Sequence, residues 1–127
     1  MALEILLVDD NPIQAQARGA ILARTGLPVR ITGSGSEALA VLGNPEAREA
    51  IGLMVTDHLM PGMNGPELVE HVVQLAPDLP ILVLSGLADA ESEYDAERIV
   101  FRLKPFPPHE LIRLAQHMLG EQALRTA

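Results

Sequence analysis

Residues 3–12 read LEILLVDDNP, and the way this stretch breaks decides the fold. Its first six residues form an apolar run of strand length, interrupted only by Glu4, which suits a strand buried on both faces. Two aspartates end the run. Asn11 and Pro12 then start a helix, with Asn as the cap and Pro in the first turn.

The same grammar repeats along the chain. The first helix is expected to run to about residue 24, where Gly26 and Pro28 stop it. Residues 29–32 make a short second strand. Ser34 and Glu37 have the spacing of a capping box for a helix through Leu42, closed by Gly43, Asn44 and Pro45. Residues 51–56 (IGLMVT) form a third strand that again runs into an aspartate. A loop rich in Gly, Pro and Asn leads to a helix over about 66–75, on which Leu68, Val69, Val72 and Ala76 share one face. Pro80 introduces the fourth strand, 81–84, which ends at Ser85 and Gly86. The fifth, 99–103, ends at Lys104. A last helix from about Pro108 repeats apolar residues at Leu111, Ile112, Ala115, Met118 and Leu119. Five strands alternating with about five helices on short loops specify an α/β fold with a doubly wound five-stranded parallel sheet, because parallel neighbours need helical crossovers. One domain is expected over residues 1–127, with its core at about 3–120 and residues 121–127 as a C-terminal tail.

Composition removes several classes of function. The 127 residues are 48% hydrophobic but only 2% aromatic, so aliphatic side chains must do the packing. A formal charge of −8 argues against a direct nucleic-acid partner, which would require clustered cations to displace counterions. There is no cysteine, hence no disulfide framework and no thiolate metal site. The apolar runs are too short to span a bilayer, and the opening residues lack a secretory pattern. A cytoplasmic location is expected, with no membrane partner.

In doubly wound sheets, ligands bind beyond the carboxyl ends of the strands, where the winding direction changes. The residues there are Asp9 and Asp10, Asp57, Ser85 and Lys104. A single Asp after a strand is more often a helix cap or turn former, but several strand ends agreeing is harder to dismiss. Three carboxylates brought together either raise a pKa or share a cation. An all-oxygen set suits Mg²⁺, which keeps waters and open positions. An open Mg²⁺ beside a lysine is a place for phosphoryl oxygens, and Asp57 is then a candidate nucleophile. Lys104 is the only lysine in a chain with eight arginines. Its slim ammonium fits a site where a planar guanidinium would fit badly.

With these residues in place, VDDN at 8–11, DHLMPGMNG at 57–65, LSG at 84–86 and FRLKPF at 101–106 resemble the receiver domain of two-component response regulators, over nearly the whole chain. The resemblance implies a flavodoxin-like (CheY-like) three-layer α/β/α fold and a phosphorelay switch rather than a turnover enzyme. It implies that Asp57 accepts a phosphoryl group from a sensor histidine kinase or phosphotransfer protein. Asp9, Asp10, Asp57 and the Leu59 backbone carbonyl would hold Mg²⁺. Ser85 would hydrogen-bond the phosphoryl group, Phe101 would swing inward behind it, and Lys104, before a cis Pro105, would bind the phosphoryl oxygens.

Some features depart from the family pattern or leave other readings open. Residues 87–98 look short and acidic for a fourth helix, Arg102 stands where an apolar residue is usual, and Pro107 leaves the last helix without a side-chain cap. His58 is adjacent to Asp57 but is read as a variable position and not as a base. His71, His109 and His117 are expected to be exposed. MPGMNGPEL and KPFPPHEL also resemble receivers of hybrid sensor kinases, so output is expected through protein contact or through a longer chain. The alternative is a small Mg²⁺-dependent phosphohydrolase of the haloacid dehalogenase type. Its nucleophile and second Asp are normally two residues apart, whereas Asp9 and Asp10 are adjacent. A flavin protein of the same fold would need a Ser/Thr/Gly-rich first loop, which this chain lacks.

Overall fold

The computed structural model describes residues 3–126, with side chains through residue 120. Its five strands are β1 (Glu4–Val8), β2 (Val29–Thr32), β3 (Ile51–Asp57), β4 (Ile81–Ser85) and β5 (Ile99–Leu103). They pair in the order β2-β1-β3-β4-β5, every pair parallel. The helices are α1 (Pro12–Ala23), α2 (Gly35–Gly43), α3 (Pro45–Ala50), α4 (Gly65–Leu75) and α5 (Pro108–Thr126). Residues 121–126, expected as a tail, continue α5.

The alternation of side chains along each strand sorts the core into two layers. Leu6, Val8, Met54 and Val83 point to one face and pack with Ala38 and Leu42 of α2 and Leu68 and Val72 of α4. Ile5, Leu7, Leu53, Val55, Leu82 and Leu84 point to the other, under Leu22 of α1 and Leu111, Ala115 and Met118 of α5. β3 is buried along its whole length, as a central strand covered on both faces must be.

Local chemistry sets the helix starts. The Asn11 side chain accepts from the Ile13 and Gln14 amides at 3.0 and 3.1 Å, and Pro12 follows it. Ser34 accepts from the Glu37 amide at 3.1 Å. Glu37 reaches back to the Gly33 amide at 2.7 Å, one residue beyond the cap that a capping box would engage. Asn64 caps α4 through the Glu67 amide.

Two features differ from, or sharpen, the sequence reading. Asn44 and Pro45 do close α2, but Asn44 also accepts from the Glu46 and Ala47 amides and so opens the additional helix α3. None of the six residues of α3 is buried, so it has no apolar stripe to announce it. The acidic stretch before β5 forms only a 3₁₀ segment, Ala88–Glu93, with Ala90 its one buried residue. With nothing else to bury, a longer helix there would have no packing to stabilise it.

Candidate functional site

β1 is flanked by β2 on one side and β3 on the other, so successive crossovers leave in opposite directions at the carboxyl ends of β1 and β3. Asp9 follows β1 and Asp57 ends β3, both at this switch point. One carboxylate oxygen each from Asp9, Asp10 and Asp57 lie within 4.8 Å of one another. Asp9 and Asp57 are buried, and Asp10 is exposed. Backbone bonds hold these strand ends in place: the Asp9 amide donates to Thr32 O at 3.0 Å, and the His58 amide to Leu84 O at 3.0 Å.

Lys104, just past β5, donates from Nζ to Asp57 Oδ1 at 3.0 Å. Its amide bonds Ser85 O at 2.7 Å, and the Lys104–Pro105 peptide is cis. Ser85 lies at the end of β4, where its Oγ accepts from the Leu87 amide at 2.9 Å and so turns the following loop. Phe101 is 8% exposed, with its ring on the interior side beside Tyr94. Leu59, two residues past Asp57, is 64% exposed. Sequence reasoning thus named a set of strand-end residues of which Asp9, Asp10, Asp57 and Lys104 are brought together directly. Ser85 is tied to Lys104 through the backbone.

The same geometry adds a residue that the sequence reading missed. Arg18, in the middle of α1, donates from one nitrogen, Nη1, to Asp9 Oδ2 at 3.0 Å and to Asp57 Oδ1 at 3.1 Å. It lies on the helix stripe formed by the buried Ala15, Gly19 and Leu22. An arginine on an apolar stripe is the signal that would have found it, because its charge needs a partner inside.

The electrostatics follow from burial. Asp9 is raised from 3.8 to about 6, first by burial and then by the neighbouring Asp57, while the Asn11 amide and Arg18 pull it down. Oxygen ligands at this spacing, one of them exposed to solvent, fit a hard divalent cation that retains water, and nitrogen or sulfur ligands are absent from the cluster.

His58, next to the acidic cluster, faces away from it. Its Nδ1 lies 2.6 Å from the Tyr94 hydroxyl, and its Nε2 lies 3.4 Å from Glu93 Oε2. Burial, with Glu93 alongside, pushes the Tyr94 hydroxyl up, so that it stays protonated and donates. A ring protonated on Nε2 satisfies both neighbours. His71, His109 and His117 are exposed, as expected.

With this geometry in hand, comparison with known proteins is direct. The profile of the response regulator receiver domain matches residues 5–116. The chain belongs to that family, whose members are switch modules of two-component phosphorelays, and the phosphohydrolase alternative is not favoured. It is 33% identical over 125 residues to the response regulator protein FleR of Pseudomonas aeruginosa, covering 95% of this chain but 26% of FleR. It is 36% identical over 119 residues to a 14.6 kDa protein encoded in the sodA1 3′ region of Leptolyngbya boryana, covering 90% of this chain and 88% of that one. The CheY-like receiver domain structure from Methanospirillum hungatei superposes with a TM-score of 0.87 at 26% identity, covering 98% and 99% of the two chains. No helix among the described residues is long and apolar enough to cross a membrane.

Proposed function

We propose that Asp57 is the phosphoacceptor of this receiver domain and that Asp9, Asp10 and the Leu59 backbone carbonyl join it in holding one Mg²⁺. The observation that carries this reading is the convergence of three carboxylates within 4.8 Å, with the only lysine of the chain 3.0 Å from Asp57 Oδ1. When bound, the ion would neutralise charge on phosphoryl oxygens.

The protein's own part is positioning. A carboxylate oxygen of Asp57 attacks the phosphorus of a phosphohistidine on a histidine kinase or phosphotransfer protein. The new P–O bond forms as the P–N bond breaks, and the departing ring nitrogen takes a proton from solvent. Lys104 already bonds the Asp57 carboxylate and offers its remaining N–H donors to the incoming phosphoryl group. Ser85 then turns its hydroxyl hydrogen from the Leu87 carbonyl oxygen to a phosphoryl oxygen. The loop after β4 moves with it, and the interior position of Phe101 is stabilised behind it. This shifts an equilibrium between two arrangements of one surface, which is what a downstream protein reads. We place the domain in the cytoplasm with its phosphoryl donor. The chain spans about a quarter of FleR, so the output partner is the part of the proposal that a longer chain or a separate protein would supply.

Acetyl phosphate with Mg²⁺ provides the test. Intact-mass analysis should show one added phosphoryl group, absent in Asp57→Asn and in excess chelator. Modification that persists in Asp57→Asn, or a protein that remains unmodified beside a reactive control receiver, would overturn the assignment.

A further inference from the structure

Arg18 places a single nitrogen between two carboxylates that the proposed metal would have to share. Nη1 is 3.0 Å from Asp9 Oδ2 and 3.1 Å from Asp57 Oδ1, and the side chains are 14%, 0% and 5% exposed respectively. Charged hydrogen bonds this secluded are weakly screened by salt. We infer that Arg18 is a built-in competitor for the divalent cation: its guanidinium holds the position between Asp9 and Asp57, and metal loads by exchange with it. This rests on the reading of Asp9, Asp10 and Asp57 as a Mg²⁺ site.

Space and charge set the two cations against each other. Mg²⁺ contacts its oxygen ligands at about 2.0–2.1 Å. An ion held by the Asp9 and Asp57 carboxylates would compete for the oxygens that Nη1 now uses and would repel a guanidinium kept at hydrogen-bond distance. Arg18 therefore has to leave. The adjoining groove it lines is bordered by Gln14, Ala17, Ile21, Lys104, Phe106 and Leu111. No carboxylate borders that groove, and Lys104 already brings a positive charge to it. A displaced guanidinium exchanges two buried acidic partners for water, and that loss is subtracted from metal affinity. In the metal-free protein the same contact offsets the repulsion between Asp9 and Asp57. The threshold of Mg²⁺ at which the switch becomes competent is thus set partly by α1, outside the strand-end residues.

Isothermal titration of the full chain with Mg²⁺ at fixed ionic strength tests this without reference to phosphorylation. Arg18→Ala and Arg18→Gln should each bind Mg²⁺ about tenfold more tightly than the unmutated protein, equivalent to about 1.4 kcal/mol. Both should also melt at lower temperature than the unmutated protein in chelator, with the difference narrowing in saturating Mg²⁺. Arg18→Gln keeps most of the stem, which guards against a folding defect in Arg18→Ala. The unmutated protein gives an independent reading, since the side-chain Nε–H resonance of Arg18 should shift as Mg²⁺ saturates the site. Equal or weaker Mg²⁺ binding in both variants, or an Arg18 resonance that stays fixed through saturation, overturns the competition while leaving the metal site standing. Failure of the unmutated protein and both variants to take up Mg²⁺ at all sinks the competition and the metal reading together.

Discussion

The hydroxyl of Tyr94 lies 2.6 Å from Nδ1 of His58, which joins the residue after Asp57 to the end of the 3₁₀ segment before β5. The rings continue the link: His58 meets Tyr94 edge-on with centroids 5.6 Å apart, and Tyr94 lies 5.9 Å from Phe101. The chain contains one Tyr and two Phe, so two of its three aromatic side chains are spent on this line from the acidic pocket to β5. It gives a short, weakly packed segment a fixed attachment to the proposed phosphorylation site. A displacement at either end therefore has a rigid path to the other.

Tyr94→Phe tests the polar half of that attachment. It preserves the ring contacts and removes the O–H, leaving the buried Nδ1 of His58 without its partner. Loss of a buried hydrogen bond that strands its acceptor costs about 1–3 kcal/mol. Urea unfolding should show a lower midpoint with an unchanged slope. A midpoint equal to that of the unmutated protein would mean that the hydroxyl contributes nothing to the attachment.

Gly65→Ala should damage the same contact from the other side. A Cβ on Gly65 would overlap the Tyr94 hydroxyl and come within 3.1 Å of the His58 Cα and carbonyl oxygen. The His58 backbone is held by strand pairing and by the Gly65 amide, so Tyr94 has to move. Overpacking of this kind costs about 1–3 kcal/mol. Because both substitutions break one hydrogen bond, Gly65→Ala combined with Tyr94→Phe should destabilise by less than the sum of the two. Strict additivity in urea unfolding would show that they act on separate contacts.

These contacts also mark where the sequence was legible and where it was not. The runs 3–8, 51–56 and 81–84 are apolar over nearly every position, and the polar residue after each, Asp9, Asp57 and Ser85, is placed on one edge of the sheet by the parallel topology alone. Asp9, Asp57 and Lys104 meet for that reason, since topology alone delivers the carboxyl ends of parallel strands to the same side. What could not be read depends on side-chain reach across the fold. Arg18 is nine residues from Asp9 and thirty-nine from Asp57, and only the packing of α1 on the sheet aims its guanidinium at both. His58 and Tyr94 are likewise thirty-six residues apart. The helix α3 was hidden because Asn44 and Pro45 are equally good at ending one helix and starting another.

Asp9 gives the metal-free protein a specific pH dependence. Its carboxyl is raised from 3.8 to about 6, chiefly by burial, so the folded state keeps a proton that the unfolded chain releases near pH 4. Between about pH 4 and 6 the folded state binds more protons, and the unfolding free energy therefore falls as pH rises through that window, then levels off. Urea unfolding in chelator at several pH values should show the unmutated protein losing stability relative to Asp9→Asn between pH 4 and 6. A difference between the two that stays constant or moves the other way would remove the burial argument. With Mg²⁺ present the relation should reverse, since the ion requires the ionised carboxylate.

Lys104 and Arg18 meet on one oxygen, Asp57 Oδ1, at 3.0 and 3.1 Å, yet their proposed tasks differ, and substitution separates them. Lys104 is positioned to bind the phosphoryl group as charge moves onto its oxygens, so Lys104→Ala should slow acetyl phosphate-driven modification of Asp57 by about 100-fold, the scale seen when one preorganised donor is lost. Lys104→Arg should not restore the rate. A planar guanidinium needs more width than an ammonium, and it cannot present the same compact set of donors to the phosphoryl oxygens. Time-resolved intact-mass measurement at saturating Mg²⁺ gives the rate directly. An arginine at position 104 that supports modification at the unmutated rate would show that this site asks only for positive charge, and the selection of a single lysine in a chain of arginines would lose its physical explanation.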